Sequence, residues 1–196
     1  DGASLRNHNE KLSILQFNDI ISPTIVSSST EMLKNFIGEH KKVILKPIDG
    51  MAGNGIFMVT SSDQNMNVIL ETMISDTNQL VMAQKFIPEV KYGDKRIILI
   101  DGEPLPYALA RIPQNNEIRA NLAKGGKGII KKLSENDMAI VAAIKPYLRK
   151  NNFRFVGIDV IGNYLTEINV TSPTGLVEIQ NQAEVNFSKS IVDALS

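Results

Sequence analysis

Residues 155–170 alternate so strictly that a β-hairpin is nearly the only local structure open to them, and the polar side of that hairpin carries the chemistry. Val156, Ile158 and Val160 alternate with Gly157, Asp159 and Ile161, and Thr166, Ile168 and Val170 alternate with Leu165, Glu167 and Asn169. Gly162-Asn163 marks the turn. A two-residue loop would pair residue 159 with 166 and leave Glu167 on the wrong face. A three-residue loop, Gly162 to Tyr164, pairs 159 with 167 and puts the bulky β-branched residues on one side, so that register is expected. It gathers Asp159, Glu167 and Asn169 into one set of oxygen ligands. Hard oxygen donors of low total charge suit Mg²⁺, with Mn²⁺ as the alternative ion. An exposed hairpin with scattered polar residues is the competing reading of the same letters.

The rest of the composition excludes more than it assigns. The 196 residues suffice for one medium domain or two small lobes, and 43% of them are hydrophobic, enough to fill a core. Lys+Arg and Asp+Glu balance at 21 each, which argues against a nucleic-acid binder with a broad basic surface. There are no cysteines, so thiol catalysis, disulfides and Cys-based zinc sites are excluded within these residues; a cytoplasmic setting is expected. Two histidines, His8 and His40, are too few for a multi-His metal site. No stretch approaches the roughly 20 apolar residues of a membrane helix, and no signal peptide opens the chain. It begins at Asp1 without an initiator Met, which reads as a fragment.

Along the chain, residues 8–20 read as a helix broken at Ser22-Pro23. Ser27 to Thr30 cap an amphipathic helix that runs to Ile37. Val43 to Lys46 form a short strand stopped by Pro47. Strands are expected at 56–60 and 80–84, with a helix at 66–75 between them. Arg96–Ile100 and Leu105–Ile112 form a hairpin around Asp101-Gly102. Residues 113–128 read as a long mobile loop. Ser134 and Asp137 open a helix to about Lys150, kinked at Pro146. A last helix is expected near 183–194. Hairpins mixed with helices imply an α+β fold, and no P-loop or dinucleotide fingerprint is present.

Several groups could carry chemistry. Lys46 ends an apolar strand just before a loop holding Gly50, Gly53 and Gly55, where backbone N–H groups can approach an anion. A hairpin turn with a snorkelling lysine would look the same. A two-residue turn at Asp101-Gly102 pairs 100 with 103 and sets Arg96 and Arg111 on one face, suited to carboxylate or phosphate; surface salt bridges are the plainer alternative. Arg119, Asn121, Lys124 and Lys127 fall in the long loop, where basic residues are usually solvated. Gln84, Lys85, Phe86 and Ile87 at a strand exit could hold a flat heterocycle, although most such strands are core. Lys11 reads by itself as a solvated helix lysine. No nucleophile with an evident base is present. Together the groups suit phosphoryl transfer, where positioning and charge neutralisation do most of the work.

At this point the residues match a known pattern. Asn9-Glu-Lys-Leu12, Ile44-Leu-Lys-Pro-Ile-Asp-Gly-Met-Ala-Gly53, Met82-Ala-Gln84, Gly93-Asp-Lys-Arg-Ile97, Asp101-Gly-Glu-Pro104, Ala110-Arg-Ile-Pro-Gln114, Arg119-Ala-Asn-Leu122, Gly125-Gly-Lys-Gly128, Phe155-Val-Gly-Ile-Asp159 and Leu165-Thr-Glu-Ile-Asn-Val-Thr-Ser-Pro-Thr174 follow one another in family order. The chain resembles the ATP-grasp portion of the bacterial glutathione synthetases. The Arg-Ile-Pro-Gln loop and the Thr166 to Thr174 run are the specific parts; a lysine strand with an Asp/Glu/Asn set occurs in any ATP-grasp enzyme.

The resemblance implies two α+β lobes with nucleotide between them: a linker and leading helix at 1–28, a small lobe at 29–86 and a large lobe at 87–196. It implies ATP-dependent ligation of γ-glutamylcysteine to glycine through an acyl phosphate. Lys11, Lys46, Gly50, Gly53, Gly55 and Asp94 would serve ATP, with Gln84, Lys85, Phe86 and Ile87 at the adenine. Asp159, Glu167 and Asn169 would hold Mg²⁺. Arg96, Arg111, Ser172 and Thr174 would hold the peptide substrate and the developing acyl phosphate, with Arg119 as a further catalytic group. The 113–128 loop would act as a lid against water. Partners would be small molecules, without nucleic acid or membrane, in a homo-oligomer. Ala52 stands where the family has glycine, Asn115-Asn116 where it has a glycine pair, and Lys127 where arginine is usual. The family's N-terminal domain precedes Asn9 and has no counterpart here, so poor turnover alone is expected. Another ATP-grasp carboxylate–amine ligase and a non-catalytic ATP-binding module are the alternatives.

Overall fold

A computed structural model describes residues 2–50, 53–75, 78–112 and 127–195, apart from the side chains of Lys127 and Leu195. The chain divides into two compact units, residues 22–87 and residues 1–21 with 88–196.

The 22–87 unit is a four-stranded antiparallel sheet with two helices on one face. Its strands are β1 (Thr24–Ser27), β2 (Lys42–Pro47), β3 (Phe57–Thr60) and β4 (Val81–Lys85), in the order β1-β4-β2-β3. Helices α2 (Thr30–His40) and α3 (Met66–Ile74) bury Leu33, Phe36, Ile37, Leu70 and Ile74 against Val43, Leu45, Val59, Val81 and Ala83. Ser29 caps α2 by accepting from the Met32 N–H, as its place in the Ser-rich run predicts. β1 is absent from the sequence reading. Its pattern is too short to register, and it forms only through pairing of Thr24 with Gln84 and Val26 with Met82.

The second unit is built on a five-stranded antiparallel sheet, β5 (Asp94–Ile100), β6 (Glu103–Ile112), β7 (Lys127–Lys132), β8 (Phe155–Ile161) and β9 (Tyr164–Asn169), in the order β7-β6-β5-β8-β9. Helix α4 (Glu135–Lys150) runs through Pro146 and starts with a full Ser134–Asp137 capping box. It lies on the face of Lys95, whose ammonium binds Asp137. Ile97, Leu99, Ala108, Ala110, Ile158 and Val160 form the apolar part of that face. Helices α5 (Leu176–Ala183) and α6 (Ser188–Leu195) cover part of the opposite face, around Ile98, Ile100, Leu105 and Leu109. The remainder of that opposite face carries the charged residues.

Several expectations need correction. The last helix, expected near 183–194, starts only at Ser188, because α5 ends at Ala183 and Glu184 takes a left-handed conformation. Lys127 and Gly128, expected in the 113–128 loop, open β7. Residues 8–20 do not form a helix. A short helix α1 spans Gly2–Arg6, and 3₁₀ turns span Leu12–Gln16 and Asn18–Ile20. The Asn9 side chain accepts from the Lys11 and Leu12 N–H groups, a local turn that competes with helix. The β8–β9 turn is a two-residue Gly162-Asn163 loop, with Ile161 opposite Tyr164 and Val160 opposite Leu165. A bulge at Thr166 then restores the pairing of Asp159 with Glu167. The expected pair is correct, and the device that makes it is different. In the β5–β6 hairpin Ile100 pairs with Glu103 as expected, but the register shifts between Ile97 and Leu99, so Arg96 meets Leu109 and Asp94 meets Arg111.

Candidate active site

In the second unit, pleating sets Asp94, Arg96, Arg111, Asp159 and Glu167 on one face of β5, β6, β8 and β9. Arg96 donates to Asp159 from Nε at 2.5 Å and from Nη2 at 3.0 Å, the two-pronged geometry that fits guanidinium to carboxylate. Arg111 reaches both acids, Asp94 at 2.5 Å and Asp159 at 3.0 Å. All but Asp94 and Glu167 are fully buried. The Arg96 and Arg111 side chains therefore meet on Asp159 as the hairpin face predicts, and they are not surface salt bridges.

The electrostatics follow from this packing. Burial alone would raise the Asp159 carboxyl, but Arg111 and Arg96 outweigh it and hold the group well below the usual carboxylate range. Burial pushes Asp94 up to about 6 despite Arg111, and the Asp159 charge adds to the push. Burial opposes the charge on Arg96 and Arg111, yet Asp159 more than compensates and raises both above the usual arginine range. Two buried polar atoms in this cluster have no hydrogen-bond partner among the described residues, Asp94 Oδ1 and Arg111 Nε.

Around this cluster lie the other expected groups. Glu167 is paired across the strands with Asp159, and Lys11 Nζ stands 3.4 Å from its carboxylate. Lys11 is thus nearly buried in place of solvated. Asn169, opposite Gly157, donates its amide to the Gly157 carbonyl at 3.2 Å, which directs its side-chain oxygen the other way. Two carboxylates and an amide oxygen on one face fit a hard divalent ion as a donor set. No group of three or more His, Cys, Asp or Glu side chains able to hold a metal is found among the described residues, so the amide must complete any such set. Ser172 and Thr174 are exposed in the segment after β9, and the Thr174 carbonyl accepts from Arg96 Nη1 at 3.2 Å. A Cβ at Gly157 would lie 2.7 Å from Pro173 Cβ and 2.9 Å from Arg96 Cδ. The glycine lets the 171–175 segment and the arginine stem approach the strand. Arg119 and the rest of the expected lid from 113 to 126 lie outside the described residues, as does the Lys127 side chain.

The sequence reading gives no role to Glu10 or His8, although Glu10 lies inside the quoted Asn9-Glu-Lys motif and His8 directly precedes it. Glu10 Oε1 accepts from the Val170 N–H, the Thr171 N–H and the Thr171 hydroxyl, and these donors outweigh burial to lower its carboxyl. His8 Nε2 bonds the Ile168 carbonyl at 3.1 Å, and burial keeps the ring's basicity down.

In the 22–87 unit, Lys46, Met82 and Gln84 share the sheet face opposite the helix-covered core. Lys46 is nearly buried. The loop after Pro47 takes positive φ at Gly53 (73°) and Gly55 (69°), backbone that other residues rarely adopt. Gly50 packs on Pro47, where a Cβ would lie 2.7 Å from Pro47 Cγ. At the β4 exit the Gln84 amide donates to Thr24 at 3.0 Å, and the Lys85 carbonyl accepts from Ser22. Phe86 donates its N–H to the Lys42 carbonyl while its ring lies 3.9 Å beneath the Lys42 ammonium. Among the described residues no hydrogen bond engages the Phe86 carbonyl or the buried Ile87 N–H, which leaves one acceptor and one donor at the strand exit.

Residues 10–184 match the family model described as the prokaryotic glutathione synthetase ATP-grasp domain. The glutathione synthetase of Pseudomonas aeruginosa is 50% identical over 193 residues, covering 98% of this chain and 61% of that protein. That of Coxiella burnetii is 52% identical over 190 residues, covering 97% and 59%. The chain thus spans about 60% of the length of the curated relatives it matches. Among solved structures, a Chryseobacterium gregarium RiPP-associated ATP-grasp ligase superposes with a TM-score of 0.73 at 23% identity, covering 98% of this chain and 61% of that one. The D-alanine–D-alanine ligase of Bacillus anthracis superposes at 0.60 with 16% identity, covering 94% and 63%. These two likenesses establish the α+β ATP-grasp fold alone. No helix among the described residues is long and apolar enough to cross a membrane. With the family match running over most of its length and about half of its residues shared with named synthetases, the chain belongs to the prokaryotic glutathione synthetase ATP-grasp family.

Proposed function

We propose that this chain is the nucleotide- and acid-activating part of a glutathione synthetase, which joins γ-glutamylcysteine to glycine with ATP. The observation that carries the reading is the pair of buried guanidinium groups meeting on Asp159 beneath the Thr171–Gly175 segment. In this reading the substrate carboxylate attacks the γ-phosphorus of ATP and ADP departs. The glycine amine then attacks the acyl carbon, phosphate leaves, and the amine loses a proton. Arg96 and Arg111 supply positive charge where the acyl phosphate forms, and the unpartnered Arg111 Nε is a donor left for it. Ser172 and Thr174 orient the peptide. Lys11 and Lys46 neutralise phosphate charge, and the amides of Gly50, Gly53 and Gly55 lie along the triphosphate. Asp94 serves the nucleotide side of the cluster. The Phe86 carbonyl and Ile87 N–H take the adenine edge, with Gln84 and Lys85 beside it.

Asp159, Glu167 and Asn169 would hold Mg²⁺, which supplies charge neutralisation on the transferring phosphoryl oxygens. Arg119 falls in the lid of the family pattern and is assigned with it. Water exclusion by the 113–128 segment, a homo-oligomer and a cytoplasmic setting belong to the same reading. The test is phosphate release with ATP, Mg²⁺, glycine and γ-glutamylcysteine, by this chain and by a version extended at its N-terminus with the domain its relatives carry. Release that requires both amino-acid substrates is expected. Release with other acids but not with γ-glutamylcysteine would move the chain to another carboxylate–amine ligase. Nucleotide binding without release in either version would leave an ATP-binding module.

A further inference from the structure

β9 is an edge strand, and an uncovered edge presents unpaired N–H and C=O groups. Residues 8–11 cover its C-terminal end. His8 Nε2 bonds the Ile168 carbonyl, and the Ile168 N–H donates to the Glu10 carbonyl at 3.0 Å. Lys11 meets Glu167. The Glu10 side chain reaches further along the chain. One carboxylate oxygen takes the Val170 N–H at 2.9 Å, the Thr171 N–H at 3.0 Å and the Thr171 hydroxyl at 2.9 Å. Those residues come directly before Ser172-Pro173-Thr174. The far end of this segment is held separately, by Arg96 on the Thr174 carbonyl and by Gly175, whose φ of 104° turns the backbone against Leu109 and the Arg96 stem.

From this geometry we infer that Glu10 is a positioning residue: it fixes Val170 and Thr171 and thereby sets Ser172 and Thr174 for the acid substrate, without touching substrate or nucleotide. The inference rests on the functional reading above for the identity of that substrate. It differs from a purely structural role, because the same motif divides its work. Lys11 faces the Glu167 side of β9, and Glu10 faces the segment beyond it. A carboxylate that accepts three hydrogen bonds is also more than an edge cover needs, since the Glu10 and His8 contacts at Ile168 already satisfy that residue.

The test compares the parent with Glu10→Gln and Glu10→Ala, with γ-glutamylcysteine and Mg·AMP-PNP titrated separately and amide exchange followed at Val170 and Thr171. Glutamine keeps an acceptor oxygen and serves as the partial rescue. In Glu10→Ala, the dissociation constant for γ-glutamylcysteine is expected to rise about tenfold and that for the nucleotide to stay within about twofold. Exchange at Val170 and Thr171 should speed up about tenfold or more, with Gln between Ala and the parent on both readouts. Equal weakening of both ligands, or exchange unchanged at those amides, overturns the assignment. A parent chain that binds the nucleotide but not γ-glutamylcysteine defeats the substrate reading instead. In that case the amide exchange still decides whether Glu10 holds the segment.

Discussion

Asp159 accepts hydrogen bonds from two guanidinium groups inside a sheet face, and this changes what its substitution does. Read as a ligand on an exposed hairpin, Asp159→Asn should abolish turnover and spare the fold. The structure separates the two carboxylates. Replacing Asp159 leaves Arg96 and Arg111 buried with one full counter-charge fewer, a loss of about 3–5 kcal/mol, seen as an earlier midpoint in urea unfolding. Glu167 is partly exposed, with the Lys11 ammonium 3.4 Å from its carboxylate, so Glu167→Gln should shift stability by less than about 1 kcal/mol while phosphate release is lost. Asp94 behaves differently again. Its folded pKa of about 6 lies above the unfolded value of about 3.9. The native state therefore binds this proton more tightly, and stability falls as pH rises from about 4 through 6. Asp159 has the opposite sign: its contribution is present above about pH 4 and is lost on acidification below it. Asp94→Asn is accordingly expected to be at least as stable as the parent at pH 7. The gap, about 3 kcal/mol at most, should shrink to about 1 kcal/mol at pH 4.5 and close near pH 3 in matched denaturation curves. A gap that widens on acidification would contradict this assignment.

At the scale of elements, the sequence tells which residues share a face better than it tells how the chain achieves it. Parity along β5, β6, β8 and β9 is legible because an apolar residue on the wrong side would face the charged cluster. The bulge at Thr166 is not legible, because Thr166 fits either side. It is buried with its hydroxyl on the Asp159 carbonyl, which satisfies the polar group that the bulge turns inward. The two-residue slip in the β5–β6 hairpin is hidden for a related reason, since it preserves parity. Residues 8–20 mislead because their helical spacing is real, but the hydrogen bonds of His8 and Glu10 go to β9, a partner far away in sequence. Gly157 shows the same dependence on distant neighbours. Nothing local requires glycine there, as its φ is not positive, and only Pro173 and Arg96 make a Cβ impossible. Gly157→Ala should therefore cost about 1–3 kcal/mol in chemical denaturation and lower phosphate release, because Arg96 must move off Asp159 or the 171–175 segment must lift. Full activity with parent stability would show that the contact yields without consequence.

The two units differ in how their chains are assembled, and this gives the molecule-scale prediction. The 22–87 unit is continuous in sequence and owns its core, from Leu33, Phe36 and Ile37 to Val81 and Ala83. Its strands are short, and a domain of about 60 residues buries only about 60% of the surface of its unfolded chain. Excised, it is expected to fold with a single cooperative urea transition of low midpoint, and to protect the amides of Ile44 and Gln84, which face each other in the β2–β4 ladder. The other unit is discontinuous. Residues 88–196 alone retain the five-stranded sheet, but they lose His8, Glu10 and Lys11. β9 then becomes a bare edge, the Val170 and Thr171 amides lose their acceptor, and Glu167 loses its lysine. That fragment should self-associate and exchange rapidly at Ile168 and Val170. A synthetic peptide of residues 1–21 added in excess should restore slow exchange at both amides and reduce association. If 88–196 is monomeric and equally protected without the peptide, then β9 does not need the N-terminal segment, and the contacts of Glu10 follow the fold without shaping it.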